Sequence, residues 1–362
     1  MRTRPALIVL LAGALLLIAA SPASAKTRTD RVIEDSRITE SSGLAPSRIH
    51  ADVLWTHNDS GNPNQIYAIA KNGSTAATLT VSGEENRDWE AITSFRSPAA
   101  APSAGQNLIA IGDIGDNDAV HPSVRIVIIK EPESLTDQSV TPIRVLRLTY
   151  PGGPTDAESL LSDPKTGRLY IVSKTLFGST LYAVPPKVWP GKGATGTSDL
   201  TELTEVAQMG PTFVTDGAFL PDGNMAIRGY GNISIVAAPS TAKNGRLKTL
   251  ASKALPDQKQ GESIAIMDDG GYALIGSEGK DSPILRIKIP RVAPTETSEA
   301  ASSPASSGQK PTDTAQKLRD LTGGDRNLPL LVGVGGAAVL LVALIGAAIA
   351  LRPRRSRRRR RR

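Results

Sequence analysis

The chain of 362 residues contains no cysteine and only three histidines, and aromatic side chains make up 4% of it. The absence of cysteine excludes disulfides, thiol catalysis and cysteine-ligated zinc. A folded domain in this chain must therefore be held together by its core, which a chain of this length can build. Only His50, His57 and His121 could serve as a histidine base in catalysis.

The first 25 residues have the pattern of a secretory signal peptide. Arg2 and Arg4 precede an apolar run that ends at Ala20, and small residues up to Ala25 provide a cleavage site before Lys26. An uncleaved anchor is the alternative, but the run is short for a spanning helix. We expect export, with 1–25 removed.

A second apolar segment, 329–351, has no charged residue, and nine of the eleven residues after it are arginine. Its length is sufficient for a helix to cross a hydrocarbon core of roughly 30 Å. Arginines directly behind such a helix indicate a cytoplasmic stop-transfer signal rather than a nucleic-acid site. The sequence predicts a single-pass plasma-membrane protein with its ectodomain outside and its tail, 352–362, in the cytoplasm.

The ectodomain itself is slightly acidic. The formal net charge of +7 depends on the two ends, which hold eleven of the 42 basic residues and leave 31 basic against 35 acidic ones. This balance argues against nucleic-acid binding. Residues 293–328 are rich in Ser, Thr, Ala and Pro, with too few apolar residues to fold, and are predicted to be a disordered stalk.

One short pattern recurs five times between the signal peptide and the stalk. An acidic residue is followed by small or apolar residues, a turn and a second apolar strand. The openings hold Glu40, Glu90, Glu158, Asp216 and Glu262, spaced 46 to 68 residues apart. Hairpin turns such as Asp163–Gly167 and Pro221–Gly223 suit residues that tolerate positive φ. Such a repeat, without a long amphipathic helix, predicts an all-β propeller over 26–292.

Each repeat contains further apolar runs that read as strands. The predicted second strands begin at Val53, Leu108, Leu169, Met225 and Tyr272. The third strands begin at Gln65 (to Ile69), Val124, Thr180, Ile233 and Ile284. The fourth strands are Ala77 to Val81, Ile143 to Leu148, Thr204 to Met209 and Leu247 to Leu255.

The fifth repeat lacks a fourth strand because it runs into the stalk after Pro290. The segment from Val32 to Ile38 has no partner of its own and can fill this place, which would close the ring and cover an open edge. We expect five blades, and a sixth within the long second repeat is the alternative.

The start of the first strand and the end of the second strand lie at the same mouth of a propeller channel, so polar residues at both points should converge. The candidate ligand-binding residues are Glu40, His57, Asn58, Asp59, Asp88, Lys174, Arg228 and Glu278. The candidate metal ligands are Glu90, Asp113, Asp116, Asp156, Glu158, Asp216 and Glu262. Crowded carboxylates take up protons, pair with cations or bind a metal, and oxygen ligands favour Ca²⁺. The alternative is that each carboxylate only bonds the backbone of the adjacent blade and sets the register of the ring.

Several strings of the ectodomain resemble those of exported bacterial propellers grouped with phytase-like, or "esterase-like activity of phytase", domains. They are Ser42-Gly-Leu-Ala, Leu54-Trp-Thr-His-Asn-Asp-Ser60, Asp88-Trp-Glu90, Gly112-Asp-Ile-Gly-Asp-Asn117 and Asp156-Ala-Glu158. The resemblance covers residues 38 to 290. It implies a propeller whose acidic channel mouth holds calcium and, in true propeller phytases, a phosphate ester.

Three functions remain open at this point. The first is a binding module, which would hold a metal or an envelope glycan, peptide or protein at the acidic mouth. This function requires the fewest specialised residues. A Ca²⁺-dependent phosphoric-ester hydrolase could use Lys174 and Arg228 for phosphate, although cations are few among so many acids. A serine esterase could use Ser263 in Gly261-Glu-Ser-Ile-Ala265, but this string opens a strand rather than a nucleophile elbow. No catalytic residue is assigned.

Overall fold

Short strands account for nearly all regular structure in the computed structural model, which describes residues 28–99, 101, 103–189, 195–267 and 270–292. Contacts group the chain into two units, Met1–Thr295 and Glu296–Arg362, and every described residue lies in the first unit. The signal peptide, the stalk, the membrane span and the arginine tail predicted from the sequence lie outside the described residues. Within the described ranges no helix is long and apolar enough to cross a membrane.

The strands form five sheets, which we call blades 1 to 5. Blade 1 comprises β2 (Ala45–Pro46), β3 (Leu54–His57), β4 (Gln65–Ile69), β5 (Thr75–Val81) and β9 (Gln138–Val140). Blade 2 comprises β6 (Trp89–Arg96), β7 (Asn107–Asp113), β8 (Val124–Lys130), β10 (Arg144–Thr149), β14 (Gly196–Thr197) and β15 (Thr201–Glu202). Blade 3 comprises β11 (Ala157–Ser162), β12 (Leu169–Ser173), β13 (Ser179–Ala183) and β16 (Thr204–Met209). Blade 4 comprises β17 (Val214–Phe219), β18 (Met225–Gly229), β19 (Asn232–Val236) and β20 (Thr249–Ala254). Blade 5 comprises β21 (Ile264–Ile266), β22 (Tyr272–Ile275), β23 (Pro283–Lys288) and β1 (Arg28–Val32).

The first strands of the blades, β2, β6, β11, β17 and β21, line the centre of the ring. Each contacts the first strand of the next blade, and β2 contacts β21, which closes the circle. The prediction of an all-β propeller with five blades is confirmed. The long second repeat holds no sixth blade within the described residues. Its extra strand β9 pairs in parallel with β5 of blade 1. The third repeat also has extra strands, β14 and β15, which pair in parallel with β10 of blade 2.

The N-terminal strand closes the last blade, but it lies earlier in the chain than the sequence indicates. β1 pairs antiparallel with β23 over Arg28–Val32, so only Val32 belongs to the predicted segment. Ile33 and Ile38 are instead buried in the apolar layer between blades 5 and 1. The apolar character of that segment reflects this burial rather than strand pairing. Arg31 also ties β1 to blade 1, because its guanidinium donates to the carbonyls of Asp52 at 2.7 Å and Ile69 at 3.0 Å.

Apolar layers between adjacent blades form the core. Middle strands such as β7 are covered on both faces, so they are buried at nearly every position. Trp55 and Trp89 are fully buried in the layer between blades 1 and 2. Turns of the predicted type join first and second strands, with positive φ at Gly167 and Gly223. This stacking fixes the five inner strand ends, and with them the polar residues of the channel mouth.

Candidate functional site

A β-bulge lies near the mouth in the first strand of blades 2, 3 and 4. The register between first and second strands shifts by one residue there, and the extra residues are Glu90, Glu158 and Thr215. A bulge bends the strand and re-aims the side chain of the extra residue. The shared position indicates that one residue per blade is turned in the same direction.

In blades 1 and 5 the backbone hydrogen bonds between the first two strand segments show which residue occupies the bulge position. Asp59 donates its N–H to the carbonyl of Glu40, and Glu278 donates to that of Gln260. The bulge position is therefore Ser42 in blade 1 and Glu262 in blade 5. We call the five bulge residues the bulge ring, and all of them are 5% exposed or less: Ser42, Glu90, Glu158, Thr215 and Glu262.

The bulge ring corrects the alignment made from sequence. That alignment matched Glu40 and Asp216 with the three glutamates. The structure shows Glu40 two residues before the bulge of blade 1 and Asp216 one residue after the bulge of blade 4. The ring therefore holds three carboxylates and two hydroxyls.

Asp216 bonds the backbone of the adjacent blade. Its carboxylate accepts the N–H of Gly217 and the N–H of Ile264 on β21, both at 2.7 Å. Burial raises the pKa of Asp216 well above its usual range, and the two backbone donors oppose this. This contact is the register-setting role that the sequence left open as an alternative.

Arg228 is a buried connection between blades 4 and 5 rather than an exposed cation. Its guanidinium donates to the carbonyls of Ser263 and Gly276 and to Oε1 of Gln258 at 2.7 Å. Burial lowers its pKa to about 10. Because the side chain is wholly buried in these bonds, it is not presented to a ligand.

Asp113 and Asp116 also hold the wall of the mouth. Asp113 is wholly buried, pairs with Arg125 and accepts the N–H of Asp88 at 2.9 Å. Asp116 accepts the N–H groups of Val120 at 2.8 Å and His121 at 2.9 Å. The structure thus gives both of these candidate metal ligands backbone partners.

His57 and Asn58 lie behind the mouth. The Nδ1 atom of His57 lies 3.0 Å from the carbonyl of Asn58, and burial lowers the pKa of the ring to about 4, so the imidazole is neutral. The amide oxygen of Asn58 accepts the N–H groups of Thr39 and Glu40, each at 3.0 Å. Both residues therefore shape the loop that carries the acidic residues.

Three of the candidates form a tight group, which we call the acidic triad: Asp59, Asp88 and Glu90. One carboxylate oxygen from each lies within 4.8 Å of the others. Burial, followed by the charges of Asp59 and Asp156, raises the pKa of Asp88 to about 6. Burial and neighbouring carboxylates also raise the pKa of Glu90 well above its usual range. Among the described residues no Lys or Arg forms an ion pair with the triad, so a cation could relieve its repulsion.

Lys174 acts electrostatically on a second group of carboxylates, and we call these residues together the Lys174 cluster: Glu158, Glu262, Glu278 and Lys174. The ammonium group pairs with Glu158 and lies 5.7 Å from the centroid of the Tyr230 ring. Burial is the main cause that raises the pKa of Glu158 to about 8 and that of Glu278 to about 7. Burial also raises the pKa of Glu262, whose Oε2 atom has no hydrogen-bond partner in the described part of the chain.

The remaining two candidates lie at the rim. Glu40 accepts a hydrogen bond from the amide of Asn62 at 2.6 Å. Asp156 accepts the N–H of Asp116 at 2.9 Å, a contact between blades 3 and 2. Both are half-buried.

The sequence reasoning missed Ser42, Thr215, Tyr230 and Gly115. A Cβ atom on Gly115 would lie 2.5 Å from a carboxylate oxygen of Asp88, so only glycine lets the backbone approach the triad here. Ser42 could have been found by aligning Glu40-Ser-Ser42 with Asp88-Trp-Glu90. Nothing in the local sequence marks Thr215 as a bulge residue.

A cavity of about 480 Å³ lies at the opposite ends of the inner strands, lined by residues such as Pro46, Phe95 and Phe219. The acidic residues are not among its lining residues. The mouth at the strand starts is therefore separate from this cavity.

No family model and no curated protein matches this chain. Among solved structures, it is similar to an oxidoreductase described as a glucose dehydrogenase from Thermus thermophilus, at 12% identity and a TM-score of 0.38, with 72% of this chain and 99% of that chain covered. A glutaminyl cyclase from Myxococcus xanthus is 9% identical, with a TM-score of 0.42 and coverage of 73% and 97%. Similarities this distant carry no information about the activity of this chain.

Proposed function

We propose that this protein is a membrane-anchored extracellular β-propeller that binds a divalent cation, Ca²⁺, at the acidic triad of its channel mouth. The observation that carries the proposal is the convergence of three carboxylate oxygens within 4.8 Å, none of them in an ion pair with a Lys or Arg of the described residues. Hard oxygen ligands of this kind suit Ca²⁺. Bound there, the cation would hold the envelope ligand by an anionic group on a glycan, peptide or protein.

The electrostatics of the triad support cation binding. Burial first, and the charges of neighbouring carboxylates second, disfavour the ionised forms of Asp88 and Glu90 and raise their pKa values. A divalent cation compensates these ionised forms directly. Ser42 is held beside Glu90, with 3.1 Å between its Oγ and the Oε2 of Glu90, and contributes one more oxygen to the same corner.

A Ca²⁺-dependent phosphoric-ester hydrolase, the function suggested by the phytase-like resemblance, has less support. The two basic side chains that could bind phosphate in such an enzyme are both engaged: Arg228 is buried against carbonyl groups and Lys174 is paired with Glu158. We therefore expect no detectable turnover of phosphate monoesters with added Ca²⁺.

The test of cation binding is the melting temperature of the full-length protein, purified in detergent, in EDTA and in excess Ca²⁺. A ligand at 100 times its Kd stabilises a fold by about 2.7 kcal/mol, which corresponds to a rise of roughly 5 to 10 °C for a domain of this size. We expect Asp88→Asn and Glu90→Gln to abolish the rise. Glu40→Gln is the matched control, since it removes the same charge from the same mouth outside the triad. An unchanged melt in the unsubstituted protein would contradict the proposal.

The location is tested separately on intact cells. A protease added from outside should remove the propeller, while an epitope tag placed after Arg362 should stay protected until the cells are opened. Cleavage of the tag in intact cells would contradict the proposed orientation.

A further inference from the structure

A group of exposed apolar side chains lies at the mouth, next to Lys174. We call it the mouth patch: Leu176, Phe177, Phe213 and Tyr230. Phe177 is 93% exposed, and the other three are 44% to 49% exposed. The three exposed aromatic residues of the described chain all belong to this patch, although Phe is normally buried. Apolar residues that are exposed singly need no explanation, whereas a contiguous group marks an interaction surface.

Three segments of blades 3 and 4 bring the patch together. The loop after β12 carries its first two residues, Phe213 directly precedes β17 and Tyr230 directly follows β18, so all of them lie at the mouth. The N–H of Phe213 donates to the carbonyl of Thr175 at 3.1 Å, which joins the first two segments. A Cβ atom on Gly229 would lie 3.3 Å from the carbonyl of Phe213, so the last two segments are in contact. The ring of Tyr230 lies 5.7 Å from the ammonium group of Lys174, at the start of the first segment. The patch is therefore continuous across the two blades.

Phe213 has a strained backbone. Its φ is +49°, in the left-handed region that glycine adopts without cost. For a bulky side chain such a φ is a genuine outlier, and outliers of this kind are concentrated at functional sites. The chain thus keeps an aromatic ring exposed at a position where glycine would be less strained. This points to a binding role for the ring.

Carboxylates without a basic partner border the patch. Lys174, the basic residue beside it, is already paired with Glu158. The backbone N–H of Lys174 donates to the carbonyl of Asp156 at 2.9 Å, which places Asp156 at the edge of the patch. Burial, followed by the charge of Glu262, raises the pKa of the Tyr230 phenol, so Glu262 of blade 5 also acts on the patch. The ion pairs of the described residues include neither Asp156 nor Glu262. The surface is therefore apolar at its centre and negatively charged at its border.

We infer that the mouth patch is a docking site for a protein partner that presents an apolar side chain next to Lys or Arg. The apolar side chain would pack on Phe177 and Tyr230, and the basic residues would face Asp156 and Glu262. Aromatic anchors inside a polar border are typical of protein interfaces, and charge complementarity selects a basic partner. An anionic membrane surface would be repelled by the same carboxylates. The inference does not rest on the proposed Ca²⁺ binding, because none of these residues belongs to the acidic triad.

The test uses the full-length protein in phosphatidylcholine nanodiscs, because a detergent would cover the patch itself. The probe is a short labelled peptide that repeats Lys-Phe-Lys-Leu, and its Kd is measured by fluorescence anisotropy at about pH 8, where carboxylates are mostly ionised. A peptide that repeats Lys-Ser-Lys-Ser has the same charge without apolar side chains and should bind at least about tenfold more weakly. A peptide with Glu in place of Lys should not bind.

Phe177→Ser tests the patch without affecting the fold, because the side chain is almost fully exposed. We expect the Kd of the basic apolar peptide to rise by about tenfold with an unchanged melting temperature. Ile49→Ser is the matched control, since Ile49 is an exposed apolar residue between β2 and β3 at the opposite face, and it should leave the Kd unchanged. Equal binding of the two basic peptides, or an unchanged Kd in Phe177→Ser, would overturn the inference.

Phe213→Gly separates a binding role from a structural one. We expect weaker peptide binding together with a melting temperature that stays equal or rises, because glycine relieves the strained φ. A lower melting temperature with an unchanged Kd would make Phe213 a structural residue and contradict its place in the docking site.

Two further measurements distinguish the partner and the role of the metal. The protein in nanodiscs should not co-sediment with phosphatidylglycerol vesicles, and vesicle binding that Phe177→Ser abolishes would overturn the inference in favour of a membrane partner. Peptide binding should be the same in EDTA and in Ca²⁺. Binding that is lost in EDTA would contradict a docking site independent of the cation, whereas failure of the peptide to bind at all would leave the Ca²⁺ proposal standing.

Discussion

The hydroxyl of Ser42 donates a hydrogen bond to Oε2 of Glu90 at 3.1 Å, from blade 1 to blade 2. Both residues occupy the bulge position of their blades. A carboxylate in place of Ser42 would add a fourth charge to the bulge ring, whereas the hydroxyl stabilises the ionised Glu90. The bulge ring is therefore asymmetric in charge, with hydroxyls in blades 1 and 4 and glutamates in blades 2, 3 and 5.

Removal of this hydroxyl should weaken Ca²⁺ binding. In Ser42→Ala the ionised form of Glu90 loses a donor worth about 1 kcal/mol, so we expect a Kd for Ca²⁺ higher by roughly three- to tenfold. Isothermal titration calorimetry measures this change. Ser41→Ala is the control, because Ser41 bonds Thr56 instead of Glu90. Equal effects of the two substitutions would argue against a specific role for Ser42.

Ca²⁺ affinity should fall as the medium becomes acidic. Burial raises the pKa of Asp88 to about 6 and also raises that of Glu90 well above its usual range, so protons compete with the metal in mildly acidic solution. We expect at least a tenfold loss of affinity between about pH 8 and pH 5.5, with net release of protons on binding. Calorimetry in buffers of different ionisation enthalpy measures the proton release. Asp88→Asn should bind more weakly and with a smaller pH dependence, and an unchanged pH dependence in this variant would count against Asp88 as a ligand.

Without Ca²⁺ the folded protein should become more stable as the pH falls from about 8.5 to 6.5. The pKa values of Glu158, about 8, and Glu278, about 7, are raised on folding. The folded chain therefore binds more protons than the unfolded chain in this window, and ionisation on raising the pH destabilises it.

Melting curves in EDTA measure the effect, and we expect a rise of about 3 °C or more on acidification. Glu278→Gln should reduce it. Below this window His57 acts in the opposite direction, because its pKa is lowered from 6.5 to about 4 and protonation then favours the unfolded chain. A melt that falls steadily from pH 8.5 to 6.5 would be incompatible with the raised pKa values.

Substitution of Asp216 should lower the free energy of unfolding without affecting Ca²⁺ binding. Asp216→Ala leaves the buried N–H groups of Gly217 and Ile264 without their acceptor, which costs about 3 kcal/mol. Chemical denaturation measures this loss, and the rise in melting temperature with Ca²⁺ should persist. Asp222→Ala, in an exposed turn of the same blade, should cost less than about 1 kcal/mol. Loss of the Ca²⁺ response in Asp216→Ala would instead make Asp216 a ligand.

Closure of the ring should depend on Arg31. Arg31→Met removes the bonds to the carbonyls of Asp52 and Ile69 that tie β1 to blade 1, and we expect a loss of about 2 to 4 kcal/mol. Hydrogen exchange should show faster opening of β1 and β23 than of the other blades. Arg28→Met, an exposed residue of the same strand, is the control and should change stability little. Equal effects would show that strand pairing alone closes the ring.

Much of the fold follows from local pattern. Apolar runs and Gly- or Asp-containing turns are properties of short segments, and the predicted strands at Gln65 to Ile69 and Thr204 to Met209 have the observed bounds. Five recurrences of one pattern are enough to indicate five blades. The N-terminal strand was predicted too late in the chain, because burial of Ile33 and Ile38 between blades produces the same apolar pattern as a strand.

The sequence predicted the residue types of the candidate site but not the role of each residue. The residue types at the strand ends were sufficient to indicate an acidic mouth, and Asp88, Glu90 and Asp59 do converge there. The sequence could not separate these residues from Asp216 and Arg228, which carry charges of the same kinds but are bonded to the backbone of blade 5. The sequence by itself determined most strands of the five blades, the blade count and the acid-rich strand ends, because these depend on neighbours along the chain. Only the tertiary structure decided where the bulges fall and which charges stay uncompensated. The bulges depend on the register between the first and second strands of a blade, and the compensation of the charges depends on hydrogen bonds to a different blade.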